Sequence, residues 1–352
     1  MFCDYPFDML HVGERSYMTC CRGWFKNPPQ FVVSGDYDNL WDVWNHDKFK
    51  NLRRLWLDGK IQGEYPQECS PCGKRVELGL QDTRLEHHNE VMNKGPKIVN
   101  FSNDLTCNLH CWTCRSRPII QKKQERVWKQ TNNVLQTWKD DIRLIECIGS
   151  GDPLASPAWL DILKNINPLD YNDNFRIRLF TNGLLIPTHW SKISNIHNTI
   201  ETIKMSIDAV TKDIYERTRL GGKWEDLNRA LDFICDIGKP LILNMVVTAD
   251  NFTDIPLLIN KALSIPNCYR VNISTMRYWF QMRGGYEAFH EMDLTREDHP
   301  KRDAFINLLN DNTELLSNPI VFAERIMPKN HKELVRNPSM EKKRKRNENK
   351  RV

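Results

Sequence analysis

Residues 97–114 read KIVNFSNDLTCNLHCWTC. The opening KIVNF is a short run with β-branched residues, which predicts a strand. Close behind it come Cys107, Cys111 and Cys114, separated by three residues and then two, with no fourth cysteine nearby. Soft thiolates select zinc or iron–sulfur clusters. A structural zinc site is closed by four protein ligands. His110 is the extra donor in this stretch, but it adjoins Cys111, and neighbouring residues rarely ligate one ion without strain. A four-iron cluster held by three cysteines keeps one iron open, as a catalytic metal does. Zinc and plain core thiols are the alternatives.

Working outward from that strand, extended and helical patterns alternate. Strands are predicted at 142–148 (IRLIECI), 175–181 (FRIRLFT), 201–207 (ETIKMSI), 240–248 (PLILNMVVT) and 269–275 (YRVNIST). Between them lie helical patterns: a polar helix over about 118–138, PAWLDILKNI at 157–166 opening on proline, THWSKISNI, WEDLNRALDFICDIG at 224–238 closing on Gly238, and IPLLINKALS. Six β-α units imply parallel strands with right-handed crossovers and suit a partial barrel. Chemistry on such a fold gathers at the C-terminal strand ends. There the sequence places the three cysteines, SGDP (150–153), TNG (181–183), and Ser206 with Asp208.

The chain has 352 residues, 40% of them apolar, enough for a large domain with a small companion. Its mean hydropathy is −0.58, and no apolar run reaches 18 residues, so no membrane span is expected. The opening MFCDYPFDML lacks a basic n-region, so a cytoplasmic location is expected. Eleven cysteines in a reducing compartment point to metal binding or catalysis rather than to disulfides. The net charge of +5 belongs to MEKKRKRNENKRV at 340–352, with seven basic and two acidic residues. That composition predicts a solvated, disordered tail, and the rest of the chain makes no electrostatic case for nucleic acid.

The cysteine spacing after a first strand, repeated support at later strand ends, and the β-α alternation resemble the radical S-adenosylmethionine (radical SAM) enzymes over roughly 96–280. The resemblance implies a partial (β/α)6 TIM-like barrel and a [4Fe–4S] cluster on Cys107, Cys111 and Cys114. SGDP looks like the family loop whose backbone receives the SAM amino group. It keeps Gly151 and Pro153 but carries Ser150 and Asp152 instead of the commonest letters. SIDA (206–209) with RLGGKW (219–224) resembles the fourth-strand region that contacts SAM ribose and carboxylate, which implicates Ser206, Asp208 and Arg219. Asn182 matches a recurrent position with a role that is mainly structural. Many members carry an aromatic just before the third cysteine; here Thr113 stands there, with Trp112 before it. The implied reaction is reductive cleavage of SAM to methionine and a 5′-deoxyadenosyl radical, which abstracts hydrogen from a substrate. A fourth cysteine would block SAM.

The N-terminal segment resembles the SPASM/twitch accessory domains of that family. Cys3 and Cys20 (or Cys21) bracket a predicted hairpin, a helical pattern covers 39–59, and Cys69 and Cys72 form a C-x2-C pair. The resemblance implies a second [4Fe–4S] cluster on Cys3, Cys20, Cys69 and Cys72, with zinc as the alternative. Such a domain usually follows the barrel, and here it precedes it. Cys147, Cys235 and Cys268 are expected to be core thiols, and His87 and His88 lie on a linker. The loop MRGGYEAFH (282–290) places Arg283 and Tyr286 near the site mouth.

The expected organisation is thus α/β: a small cysteine-rich α+β domain (1–80), a linker (81–95), a radical SAM core (96–280), a C-terminal extension closing the barrel (281–338) and a basic tail (339–352). The expected partners are a flavodoxin- or ferredoxin-like electron donor and a peptide or small-molecule substrate. An RNA- or nucleotide-modifying radical SAM enzyme and a non-catalytic zinc or iron–sulfur protein are the rivals. No catalytic side chain is assigned.

Overall fold

β-branched and aliphatic residues at alternate positions build strands here, and the computed structural model describes residues 3–20, 28–62, 89–122, 124–147, 150–278, 282–324 and 326. The chain divides into two units. One comprises Met1–Thr106, Gln121–Leu179 and Lys192–Ile200; the other comprises Cys107–Ile120, Phe180–Ser191 and Glu201–Val352.

The first unit starts with a short helix, α1 (Tyr5–Asp8), then a hairpin of β1 (Met9–Gly13) and β2 (Ser16–Met18), with β3 (Val33–Ser34) antiparallel to β2. Next come α2 (Leu40–Trp44) and α3 (Asp47–Gln62), where one helical pattern had been expected over 39–59. The break has a cause: Asn45 turns its amide onto the backbone of Met92, donating to its carbonyl and accepting from its N–H. Four further elements follow, β4 (Ile98–Ser102), α4 (Gln124–Thr137), β5 (Leu144–Cys147) and α5 (Pro157–Asn165), and then β6 (Arg176–Thr181), whose last two residues belong to the second unit. Helix α5 begins as its sequence predicts, with Pro157 in its first turn and the Ser156 hydroxyl accepting from the Trp159 amide.

Strand order in this unit is β6-β5-β4-β1-β2-β3, and β1, β4, β5 and β6 run parallel. The expected boundary at residue 80 lies outside the described residues. Five residues of β1 pair with β4, so the N-terminal hairpin extends the same sheet instead of standing in a separate layer. One face of this sheet is fully apolar: Val99, Phe101, Ile145, Cys147, Ile177 and Leu179 are buried, with Trp159 of α5 edge-on to Phe101 at 5.2 Å. The opposite face carries Asn100, Glu146 and Arg178 in lateral register.

The second unit contains α6 (Ile186–His189), β7 (Ile200–Ser206, whose first residue belongs to the first unit), α7 (Lys212–Thr218), α8 (Trp224–Asp236), β8 (Leu241–Val247), α9 (Ile255–Leu263) and β9 (Cys268–Thr275). It continues through α10 (Gly285–Met292), α11 (Arg302–Asp311), α12 (Thr313–Leu316) and β10 (Val321–Glu324). Strands β7, β8, β9 and β10 pair in that order, all parallel. Gly238 ends α8 at φ 63°, the left-handed conformation expected of it. Leu227, Ala230, Leu231 and Ile234 are the buried stripe of α8, while Cys235 is half-buried beside it. The described part of the C-terminal extension contributes β10 as a further parallel strand. No helix among the described residues is long and apolar enough to cross a membrane.

Candidate functional site

The three cysteines lie on a loop within the second unit, and backbone contacts fix its course. The Cys107 amide donates to the Ile119 carbonyl at 2.9 Å. The His110 and Trp112 amides donate to the carbonyls of Leu220 and Thr218, each at 3.0 Å, so the loop is laced to the end of α7. Between Cys111 and Cys114 the chain makes a tight turn, with the Cys114 amide on the Cys111 carbonyl at 2.9 Å.

Each sulfur accepts from N–H donors. Cys107 Sγ takes the Leu109 amide at 3.4 Å and lies 4.0 Å from Asn182 Nδ2. Cys111 Sγ takes Arg219 Nη1 at 3.3 Å, and Cys114 Sγ takes Arg115 Nε at 3.3 Å. Donors of this kind, two of them cationic, favour thiolate over thiol. Burial pushes the Cys111 thiol up, and Arg219 opposes that rise. All three cysteines are free of disulfides. Among the described residues no group of three or more His, Cys, Asp or Glu side chains is arranged around a single metal-ion position. A four-iron cluster spreads its ligands over separate irons, and an N–H-supported trithiol set outside any disulfide suits it chemically.

Arg219 and Asp208 form the charged centre of this loop. Arg219 Nε lies 2.9 Å from Asp208 Oδ2, as an ion pair rather than an aligned hydrogen bond, and both side chains are under 10% exposed. Burial alone would lower the guanidinium pKa, but Asp208, Cys111 and Tyr215 together raise it, so the cation persists. Asp208 sits at φ 59°, an uncommon conformation for a residue other than glycine. Its Oδ1 accepts from the Val246 amide at 2.8 Å and its carbonyl accepts from Asn251 Nδ2 at 2.9 Å, which holds the conformation in place. The two residues expected to touch SAM thus spend much of their polar capacity on each other, on Cys111 and on β8. Asn182 donates to Asn108 Oδ1 at 2.8 Å and accepts from the Leu184 amide at 3.1 Å, a brace on the cysteine loop. Ser206 is half-buried at the end of β7. A small cavity beside Trp112 and Thr113 is lined also by Val246, Thr248 and Met292.

The SGDP loop belongs to the first unit. The Asp152 amide donates to the Thr106 carbonyl at 2.7 Å. A Cβ added at Gly151 would fall 2.1 Å from that same carbonyl oxygen, so only glycine allows the loop to lie against this backbone. Asp152 is buried and its Oδ1 accepts from the Leu154 amide at 3.0 Å, while the Ser150 hydroxyl lies 3.0 Å from that of Ser102. Pro153 is buried next to them. Sequence reading passed over Gln124, whose side chain joins Thr106 to the start of α5 through Ser156 and the Ala158 amide.

Of the N-terminal cysteines, Cys3 and Cys20 are brought into one buried cluster with Phe7, Phe31, Leu52 and Trp56. Cys21, Cys69 and Cys72, with His87 and His88, lie outside the described residues. Cys147 is buried on β5 and burial pushes its thiol well up; Cys268 is also buried. Arg283 donates to the Ser116 carbonyl at 2.9 Å, and Tyr286 is exposed within an aromatic group that includes Tyr278, Phe289 and His290.

Residues 105–262 match the family model of the radical SAM superfamily. The chain carries a radical SAM domain. That domain defines an enzyme class, and it spans the cysteine loop, the SGDP loop, TNG and the Asp208–Arg219 pair. A probable GTP 3′,8-cyclase of Methanococcus aeolicus is 26% identical over 164 residues, which are 46% of this chain and 54% of that protein. The chain therefore matches about half the length of this relative. Among solved structures, Streptococcus suis SuiB bound to its precursor peptide SuiA aligns with a TM-score of 0.46 and 13% identity, over 83% of this chain and 56% of that one. Native anSMEcpe with bound AdoMet and Kp18Cys peptide aligns with a TM-score of 0.43 and 16% identity, over 62% of this chain and 60% of that one.

Proposed function

We propose that Cys107, Cys111 and Cys114 hold a [4Fe–4S] cluster and that the chain is a SAM-cleaving enzyme. The observation that carries this reading is the loop itself: three thiols at C-x3-C-x2-C spacing, none in a disulfide, each sulfur accepting N–H donors. When bound, such a cluster supplies the electron that splits SAM into methionine and a 5′-deoxyadenosyl radical, the hydrogen-abstracting agent. Arg219 and Arg115 offset thiolate charge, Asp208 keeps Arg219 in place, and Asn182 braces the loop. Ser150, Gly151, Asp152, Pro153 and Ser206 are proposed as SAM contacts, the first four chiefly through backbone groups. Asp208, Arg219 and Asn182 are proposed as SAM-binding residues too, and they brace the cysteine loop. An electron donor of the flavodoxin or ferredoxin type and a peptide or small-molecule substrate complete the proposal.

Cys3, Cys20, Cys69 and Cys72 are proposed as a second, closed site for a [4Fe–4S] cluster, with zinc as the alternative. The burial of Cys3 and Cys20 in one apolar cluster supports a closed site, since thiols there are shielded from solvent. The test is iron and sulfide per chain after anaerobic reconstitution. Wild type should hold about eight irons, and Cys107/Cys111/Cys114→Ala about four, one four-iron cluster being lost. Iron unchanged by the triple substitution would refute the assignment of the cysteine loop. About four irons in wild type and none in the variant would mean that the N-terminal cysteines bind zinc or nothing, and would refute the second cluster.

A further inference from the structure

Four polar side chains form a hydrogen-bonded row across the parallel strands of the first unit. His11 of β1, Asn100 of β4, Glu146 of β5 and Arg178 of β6 are direct register partners. Arg178 Nη1 donates to Glu146 Oε1 at 3.2 Å, and Asn100 Nδ2 donates to Glu146 Oε2 at 3.0 Å. His11 Nδ1 lies 2.9 Å from Asn100 Oδ1. These contacts determine where the imidazole proton sits. A carboxylate only accepts, so Glu146 turns the Asn100 amide group toward itself and leaves Oδ1 facing His11. A carbonyl oxygen also only accepts, so His11 must carry its proton on Nδ1. Nε2 then keeps its lone pair, and it has no hydrogen-bond partner among the described residues.

We propose that His11 Nε2 is a substrate-facing base, held in its Nδ1–H tautomer by Asn100 and Glu146, for a substrate bearing a hydroxyl or amine. The logic is that of a carboxylate orienting a histidine, with an asparagine between the two. The substrate proton passes to Nε2, the bonding pair stays on the substrate oxygen or nitrogen, and the imidazolium charge is balanced by Glu146 through Asn100. His11 stands two residues before Gly13 on β1, and Gly13 pairs with Ser102, whose hydroxyl meets Ser150 of the SGDP loop. The row thus lies about 7 Å from that loop's anchor, on the same face of the sheet. Burial lowers the His11 pKa and outweighs the opposing pull of Asn100 and Glu146, so the ring is neutral near pH 7. Among the described residues the charged and titratable groups around the row are Glu146, Arg178 and Tyr5, with Cys3 and Cys20 acting on Tyr5 from beyond it. The proposal rests on the SAM-enzyme reading only in that this face meets substrate.

The test needs neither SAM nor iron, so its failure is distinct from failure of that reading. The full chain, labelled with 15N-histidine, is examined by NMR, and His11→Asn identifies the signal. Asparagine's amide can replace Nδ1–H as donor to Asn100 but offers no base. Diethyl pyrocarbonate, which reacts with unprotonated accessible imidazole, is applied in parallel with peptide mapping. The expected result is the Nδ1–H tautomer at pH 7 and carbethoxylation at His11. Glu146→Gln frees Asn100 to turn over, so the Nε2–H tautomer should appear and the modification rate fall at least twofold. An Nε2–H tautomer or an unmodified His11 in wild type overturns the proposal, and so does a folded Glu146→Gln variant with unchanged tautomer. If that variant fails to fold, the wild-type tautomer and reactivity decide alone.

Discussion

Replacing Asp208 with asparagine should cost the second unit about 3–5 kcal/mol, the usual penalty for removing one partner of a buried pair. The structure gives the terms. The charges approach to 2.9 Å and both side chains are less than a tenth exposed. At an effective dielectric of about 20 the gross attraction at that distance is about 6 kcal/mol, and removing one charge leaves the desolvation cost of the other. Asparagine can still accept from the Val246 amide through Oδ1, which turns its NH2 toward Arg219 and sets donor against donor. Arg219→Met removes the other charge and also the donor to Cys111. The double variant should be less destabilised than the two singles added together, with a coupling of about 2 kcal/mol. Urea denaturation of the iron-free, reduced chain measures all four proteins, read as midpoint shifts at constant slope. A cost below about 1 kcal/mol for Asp208→Asn, or additivity within about 0.5 kcal/mol, would refute the view that a coupled pair organises the cysteine loop.

Gly151→Ala should destabilise the first unit by about 1–3 kcal/mol, because its methyl must displace backbone at Thr106 rather than a mobile side chain. It should also weaken SAM binding to the reconstituted protein by calorimetry; unchanged affinity would remove the SGDP loop from the SAM site. Cys147→Ala should leave iron content unaltered, since this thiol is buried on the apolar face of the sheet; loss of four irons would make it a ligand. Ser156→Ala should cost about 1 kcal/mol for its lost hydrogen bond to the Trp159 amide, checked by thermal denaturation.

The sheet strands of the radical SAM domain were readable from sequence because each is a β-branched or aliphatic run, and the helices 157–165, 224–236 and 255–263 because their apolar residues recur at helical spacing. What escaped had weak local signals. Helix α7, KDIYERT, buries only Tyr215 and Thr218, and β10 is four residues long. The pattern over 39–59 reads as one helix until Met92 supplies the contacts that end α2. The cysteine motif was legible as spacing, whereas its supporting donors were not. Arg219 was found by resemblance to a SAM-binding region, yet its nearest polar partners in the structure are Asp208 and Cys111.

The His11 row shows why such constellations are hidden in a linear sequence. Its members lie 89, 46 and 32 residues apart and share no spacing rule. What aligns them is register: a parallel strand slipped by one residue would turn Asn100 or Glu146 to the apolar face among Phe101 and Cys147. Burying an unpartnered carboxylate there is costly, so the polar row and the apolar face enforce one register together. The same hydrogen bonds that fix the sheet therefore also fix the His11 tautomer, and a feature that serves folding also orients a lone pair on the polar face of the sheet.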